Sequence, residues 1–210
     1  MSNGIHDRAD RVKKGTDPAL KPVSFVDVVA ILLAGGPGSG KSSVSRALRE
    51  RGLSSIDLDD GFARWVDESG QIVGLPASPT RSWLDRHHWR WGEKVDEALC
   101  MTSRPTIFAG TAADMLQHLS RFDLVIVLTI DGYAQRVRLA DPNRDNDFGK
   151  YGETADWSDD YRAWIESALL ARGAAPVNAE PPLDRVVEAV LEACRKAGLA
   201  LDEFRSPSPE

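Results

Sequence analysis

Cysteine is nearly absent: Cys100 and Cys194 are the two in 210 residues. They lie far apart and lack metal-ligand spacing, which excludes a disulfide framework and a zinc site and suits a reducing, cytoplasmic setting. No apolar run reaches the roughly 18 residues that a membrane span needs. The start, MSNGIHDRADRVKKGTDPALKP, carries no signal-peptide core, so no membrane partner is expected. Positive charge is in deficit, 26 Lys and Arg against 32 Asp and Glu for a net charge of −6. That balance argues against a nucleic-acid backbone as the main partner, because phosphate-driven binding needs clustered positive surface. Internal repeats are also lacking. What remains is 42% hydrophobic and 28% charged, the balance of one globular domain with a continuous core.

Both ends are polar and aperiodic, so residues 1–24 and 201–210 are expected to be tails around a domain at 25–200. Within the domain, VDVVAILLA from Val26 to Ala34 is almost continuously aliphatic, as a strand buried on both faces of a parallel sheet must be. LSSIDL (53–58), PTIFAG (105–110) and DLVIVLTI (123–130) are shorter runs of the same kind. Helical patterns lie between them. Val44, Ala47, Leu48 and Arg51 share one face, and Leu183, Val186, Val187, Val190, Leu191 and Cys194 form a second stripe. The stripe makes Cys194 a core residue. Alternating strands and helices predict right-handed βαβ units around a mainly parallel, five-stranded sheet in an α/β/α sandwich.

Directly between the first strand and first helix stands LLAGGPGSGKSS, with Gly35, Gly40, Lys41 and Ser42 fitting G-x-x-x-x-G-K-S/T. A segment so poor in side chains offers its backbone. Glycines allow successive N–H groups of Gly36, Pro37's neighbour Gly38, Ser39 and Gly40 to converge on phosphate oxygens, and a helix N-terminus adds a favourable dipole. Lys41 neutralises phosphate charge, Ser42 can ligate Mg²⁺, and Ser43 completes the turn into the helix. The segment as a whole, Gly35 to Ser43, is thus a candidate nucleoside triphosphate site. No base-reading N-K-x-D or T-K-x-D segment accompanies it, and Asp131 is followed by Gly132 rather than a second acid, which disfavours GTPases and motor ATPases.

Two further blocks carry chemistry. In SSIDLDDGF, Asp57 and Asp59 are two apart at the end of the second strand and therefore on one side of it. Carboxylates there can help to hold hydrated Mg²⁺ or accept a proton from an attacking hydroxyl, and spacing alone leaves open which does which. In RVRLADPNRDNDFGK (136–150), arginines are mixed with turn-forming residues; Arg138 and Arg144, with Arg136 less well placed, could stabilise charge on a transferring phosphoryl group. Between the blocks, residues 61–101 hold Trp65, Trp83, Trp89, Trp91, Arg86, His87 and His88. Aromatics beside a crevice can hold a planar or sugar-like substrate. A helix over 81–100 would instead make Leu84, His88, Trp91 and Val95 a core stripe, so core is favoured for Trp91, while Trp65 and Arg86 remain open.

These motifs, with WVD at 65–67, HHWRW at 87–91, FAGTAAD at 108–114 and VNAEPPLDRVVEAVL at 177–191, resemble the shikimate-kinase, gluconate-kinase and adenylate-kinase group of P-loop kinases. They are also similar to bacterial AAA-type ATPase or nucleoside-kinase-like proteins of unassigned substrate. The resemblance spans most of residues 26–195. It implies ATP and Mg²⁺ as cofactors and a small-molecule phosphoryl acceptor. By the same resemblance Asp57 and Asp59 face magnesium and substrate, Gly110 lines the acceptor site, and Arg138 and Arg144 grip phosphates from a lid at about 139–155. Asn178 would border the adenine. Expected is an ATP-dependent kinase; a nucleotide-binding module without transfer, or a toxin-like kinase acting on a sugar nucleotide or RNA end, are the alternatives. Monomer and homodimer are equally compatible with the sequence.

Overall fold

A computed structural model describes residues 28–144, 146–199 and 201. The expected N-terminal tail, and the C-terminal tail apart from Leu201, lie outside the described residues, as do Val26 and Asp27 of the first aliphatic run. In chain order the elements are β1 (Ala30–Gly35), α1 (Lys41–Glu50), β2 (Ser54–Asp57), β3 (Arg64–Val66), α2 (Arg81–Arg86), β4 (His88–Arg90), α3 (Lys94–Cys100) and β5 (Thr106–Ala109). There follow α4 (Met115–His118) with a 3₁₀ turn at Leu119–Arg121, β6 (Leu124–Thr129), α5 (Gly132–Leu139), α6 (Gly152–Leu170), β7 (Ala175–Asn178) and α7 (Leu183–Lys196).

Five strands form one parallel sheet in the order β2-β5-β1-β6-β7. Every strand therefore ends at the same edge, and the loops that leave those ends share one crevice. Period-two alternation divides β1 between two cores. Ile31 and Leu33 face one side with Val44, Leu48, Val187 and Val190, and Leu32 and Ala34 face the other with Phe108, Val95, Ile165 and Leu169. Helices α1 and α7 cover the first face, α3 and α6 the second. This is the three-layer α/β/α sandwich that the sequence predicts. Fully burying each of these aliphatic side chains is worth about 1.5–3 kcal/mol, so neither face survives without its helices. Cys194 is buried in the α7 stripe and Cys100 is exposed, both as free thiols. Leu201 also packs into the first core, 5% exposed.

The edge strand β2 is pinned by hydroxyls. Ser55 Oγ donates to the Ile107 carbonyl at 3.0 Å and shares a 2.8 Å hydrogen bond with Ser45 Oγ of α1, to which Arg49 Nη1 also donates. The end of β2 is thereby fixed relative to the start of α1. Among the described residues no helix is long and apolar enough to cross a membrane.

The predicted helix over 81–100 does not form. Helix α2, capped by the Thr80 hydroxyl accepting from the Trp83 N–H, stops at Arg86, and His88–Arg90 pairs with β3 as an antiparallel hairpin. Gly92, at φ 57°, then turns the chain into α3. Trp91 is core, at 1% exposure, along with Leu84 and Val95, but these come from separate elements, and His88 is exposed. The helical spacing among them is coincidental, because HWR alternates at the strand period.

Candidate functional site

The site begins where β1 ends. Between Gly35 and Lys41 the chain makes a tight loop, with Gly38 at φ 77° and Gly40 at φ 96°, a region that other residues adopt only with strain. Leu139 lies so close that a Cβ on Gly38 would stand 3.0 Å from its Cγ. Lys41 is the first residue of α1; it is buried, and its Nζ donates to the Gly35 and Gly36 carbonyls, each at 3.1 Å. The buried Ser39 Oγ has no hydrogen-bond partner, and Ser42 is exposed at the first turn, with Ser43 half-buried behind it. An unsatisfied buried hydroxyl and a lysine resting on its own loop carbonyls, at a helix N-terminus, fit a polyphosphate, which would satisfy both.

The loop is held from behind by a glutamine. Gln135 of α5 is fully buried, and both its amide nitrogen and its amide oxygen are hydrogen-bonded. Its Nε2 donates to the Pro37 carbonyl at 2.8 Å and the Ser158 carbonyl at 3.2 Å, while its Oε1 accepts from Arg162 Nε at 2.9 Å. Arg162 in turn donates to the Ile130 carbonyl and pairs with Glu166. Its stem lies on the loop, so a Cβ on Gly36 would meet Arg162 Cβ at 2.7 Å. Helix α5 itself starts on Asp131, whose carboxylate accepts from the Tyr133 N–H at 2.8 Å.

The opposing wall comes from the ends of β2 and β5. The Leu58 N–H donates to the Ala109 carbonyl just past β2, and Leu58 is buried in the second core; Asp59 lies in the turn that follows, which the Asp60 N–H closes onto the Asp57 carbonyl. Asp57 Oδ1 accepts the Asp59 N–H at 3.0 Å. Asp59 Oδ1 accepts two bonds of 3.2 Å, from Trp89 Nε1–H and the Thr111 N–H. Gly110 closes this corner: a Cβ there would lie 2.8 Å from Leu58 Cβ, 3.2 Å from Trp91 Cζ2 and 3.3 Å from Asp59 Oδ1. The Tyr161 hydroxyl shares a 2.9 Å bond with Thr111 Oγ1 and donates to the Ala112 carbonyl.

Electrostatics ties the two walls together. Burial pushes the Asp59 carboxyl above its ordinary range, and Asp57 adds to this; Lys41 and the hydrogen bonds from Thr111 and Trp89 oppose it. Burial lowers Lys41, with Arg144 adding to the effect, while Asp59 and Asp57 hold its charge in place. Arg144 is lowered by its own burial, partly offset by Asp147. Burial also drives the Tyr161 phenol up to about 12, so it stays a neutral donor. Asp59, Asp57 and Arg144 thus all act on Lys41, and Lys41 and Asp57 act on Asp59.

The remaining predicted residues are distributed unevenly. Arg138 lies in α5 beside the loop: its Nη2 donates to the Ala179 carbonyl at 2.6 Å and its Nη1 reaches the Ser39 carbonyl at 3.5 Å. Arg144 is anchored by donating to the Phe148 carbonyl at 2.7 Å. Arg136 points away, paired with Asp159 and Asp156 on the surface. Trp65 packs against Trp89 and so stands one ring behind Asp59. Asn178 is exposed at the end of β7, with its Oδ1 accepting the Glu180 N–H. Arg86 is not brought to Lys41; it is exposed, donates to the Ser82 carbonyl, and lines a separate cavity of about 280 Å³ with Asp67, Glu68, Ser69 and His87.

No protein-family model matches the chain. A dephospho-CoA kinase from Deinococcus radiodurans is 44% identical over 59 residues, which are 26% of this chain and 28% of that protein. The match therefore spans less than a third of the curated relative's length. Three solved structures are similar across about four-fifths of this chain. A shikimate kinase from Bacteroides thetaiotaomicron shows 16% identity over 80% of this chain and 98% of its own, at a TM-score of 0.48. A gluconokinase from Sinorhizobium meliloti shows 19% identity over 81% and 94%, at 0.47. A shikimate kinase from Aquifex aeolicus shows 17% identity over 81% and 98%, at 0.48. All four are kinases by name.

Gln135, Thr111, Phe148, Trp157, Tyr161 and Arg162 are contributors that sequence reasoning passed over. For Trp157, Tyr161 and Trp164 a signal existed, since their i, i+4, i+7 spacing puts them on one face of a helix. For Gln135 and Thr111 none did, because their roles depend on partners more than twenty residues away.

Proposed function

We propose that this chain is an ATP-dependent phosphotransferase acting on a hydroxyl or phosphate of a small molecule. The observation that carries the reading is the convergence of a phosphate-cradling loop and a buried carboxylate on one lysine, Lys41, whose charge Asp59 and Asp57 sustain against burial. Magnesium-bound ATP, once in place, supplies the phosphoryl group.

Each residue has a task set by its position. The loop N–H groups and Lys41 Nζ bind the phosphates, with Nζ exchanging the Gly35 and Gly36 carbonyls for phosphate oxygens. The Ser42 hydroxyl and Asp57 hold the hydrated magnesium, an arrangement that suits a cation that keeps several waters. Asp59 has Oδ1 occupied by Trp89 and Thr111, which leaves Oδ2 to receive a hydrogen bond from the acceptor hydroxyl beside Gly110. As the acceptor oxygen bonds to the γ-phosphorus, the bond from that phosphorus to the bridging oxygen breaks, the electron pair leaves with ADP, and the hydroxyl proton passes to Asp59. Arg144 and Arg138 stabilise the equatorial charge, and residues 139–155 close as a lid that excludes water. The loop after β7, with Asn178, borders the adenine, and residues 61–101 receive the acceptor. A cytoplasmic location fits the two free thiols.

Lys41→Met tests the reading. Measured as ADP release with a panel of hydroxylated metabolites, turnover should fall by about 10²-fold or more, as when one preorganised charge donor is lost. Undiminished turnover would remove the central role of the loop.

A further inference from the structure

Seven of the chain's aromatic side chains run in one row of contacts, six of them outside both cores and Tyr161 packed against the second. His87 stacks on Trp83 at 4.2 Å, Trp83 meets Trp65 at 5.1 Å, and Trp65 meets Trp89 at 5.7 Å and Phe148 at 6.0 Å. Phe148 meets Trp157 at 5.7 Å, and Trp157 stacks on Tyr161 at 4.8 Å. The rings come from the β3–β4 hairpin, α2, the loop after α5, and α6. None of Trp65, Trp83, Trp89, Phe148 or Trp157 belongs to either hydrophobic core, and all five are half-buried rather than enclosed. Half-buried aromatic surface of this extent beside a crevice suits the binding of a planar ligand. The row is joined to the reacting carboxylate, since Trp89 donates to Asp59 and Tyr161 shares a hydrogen bond with Thr111, whose N–H also reaches Asp59.

Two of the arginines near this surface are held in ion pairs. In the hairpin Arg64 pairs across from Arg90 and Trp65 across from Trp89, so the strand period puts the arginines on the face opposite the tryptophans. The Arg90 guanidinium is bound to the buried Asp114 and the Arg81 guanidinium to Asp85 and Asp160, while the Arg81 backbone N–H donates to Glu153.

We propose that the phosphoryl acceptor is a molecule with a flat aromatic ring and a hydroxyl, of the nucleoside type. Its ring stacks among Trp65, Trp89, Phe148 and Trp157, and its hydroxyl meets Asp59. This names the acceptor class within the phosphotransferase reading and rests on it. Phe148 sits four residues from Arg144, whose guanidinium bonds its carbonyl. Ring stacking therefore bears directly on the loop that closes over the phosphates.

The test gives the full chain magnesium, ATP and, separately, adenosine, guanosine, cytidine, uridine, thymidine, shikimate and gluconate. Phosphorylated product and quenching of tryptophan fluorescence are both measured. At least one nucleoside should be phosphorylated and the two acids should not. Trp65→Ala should raise the nucleoside KM by about 10- to 100-fold, the worth of one base–aromatic stack, with a smaller change in kcat; Trp65→Phe should restore most of the loss. ATP binding by both variants reports that they fold. Phosphorylation of shikimate or gluconate without any nucleoside would overturn the inference and leave the phosphotransferase reading standing. Nucleoside binding that depends on Trp65 without any transfer would uphold the ring site and overturn the phosphotransferase reading. An unchanged KM in Trp65→Ala would also overturn the inference.

Discussion

Asp59→Asn separates the chemical role of this carboxylate from its structural one, because the two predict changes of opposite sign. The amide keeps the volume, and its oxygen can still accept from the Trp89 indole and the Thr111 N–H, so the β2 turn has no reason to move. What disappears is a negative charge and a proton acceptor. Loss of a general base costs about 10²–10⁴ in turnover, which is about 3–5 kcal/mol of barrier. Stability moves the other way. Asp59 is raised above its unfolded value of 3.8 even with Lys41 opposing the shift, so the folded state prefers the protonated form. Stability from this group is fully present below the unfolded pKa and is lost as pH rises through the folded pKa. At neutral pH the wild type carries that cost and the asparagine variant does not. The variant should therefore melt higher than wild type at neutral pH, and the two should converge in acid. The pH profile agrees in sign: wild-type turnover should fall on an acid limb lying above 3.8, and the variant should lack that limb. Thermal melts at two pH values and steady-state kinetics decide it. A lower Tm at neutral pH with unchanged turnover would refute both halves of the reasoning.

Three further perturbations follow from the packing of the site. Gly36→Ala drives a Cβ to 2.7 Å from Arg162 Cβ and 3.0 Å from its Cα; overpacking of this kind costs about 1–3 kcal/mol. At about 2–4 °C per kcal/mol for a chain of this size, Tm should drop by several degrees and ATP binding should weaken. Gly74→Ala, with nothing within 4 Å, is the silent control in the same melts. Arg144→Ala should lower kcat by about 10²–10³ with little change in Tm. Arg136→Ala removes only an exposed pairing with Asp159 and Asp156, and should shift stability by no more than about 1 kcal/mol and leave kcat as it was.

Much of the site was legible because it is local. The phosphate loop is contiguous, and Asp57 and Asp59 stand two apart, at the end of β2 and in the turn after it, where the Asp59 N–H meets Asp57 Oδ1. The sheet was equally readable, since VDVVAILLA and DLVIVLTI can be buried on both faces only in a parallel sandwich. The hairpin was not. Leu84, Trp91 and Val95 satisfy helical spacing while His88–Arg90 satisfies strand spacing, and the pairing of Trp65 with Trp89 that settles the matter joins residues 24 apart in sequence. Gln135 shows the same limit from the side of polarity. A glutamine on a short helix reads as solvent-facing until the Pro37 and Ser158 carbonyls and Arg162 are seen to bond its amide nitrogen and oxygen. The aromatic row assembled by β3, β4, the loop after α5 and α6 is wholly tertiary, although Trp157 and Tyr161 announce one side of it by their spacing.

The fate of the terminal phosphate tests the account most directly. With ATP labelled in the γ-phosphoryl group, magnesium and the acceptor panel, the label should appear covalently on an organic acceptor in amounts equal to the ADP released, and Lys41→Met should abolish its appearance. Label recovered only as inorganic phosphate, or retained in ATP bound to the protein, would contradict it.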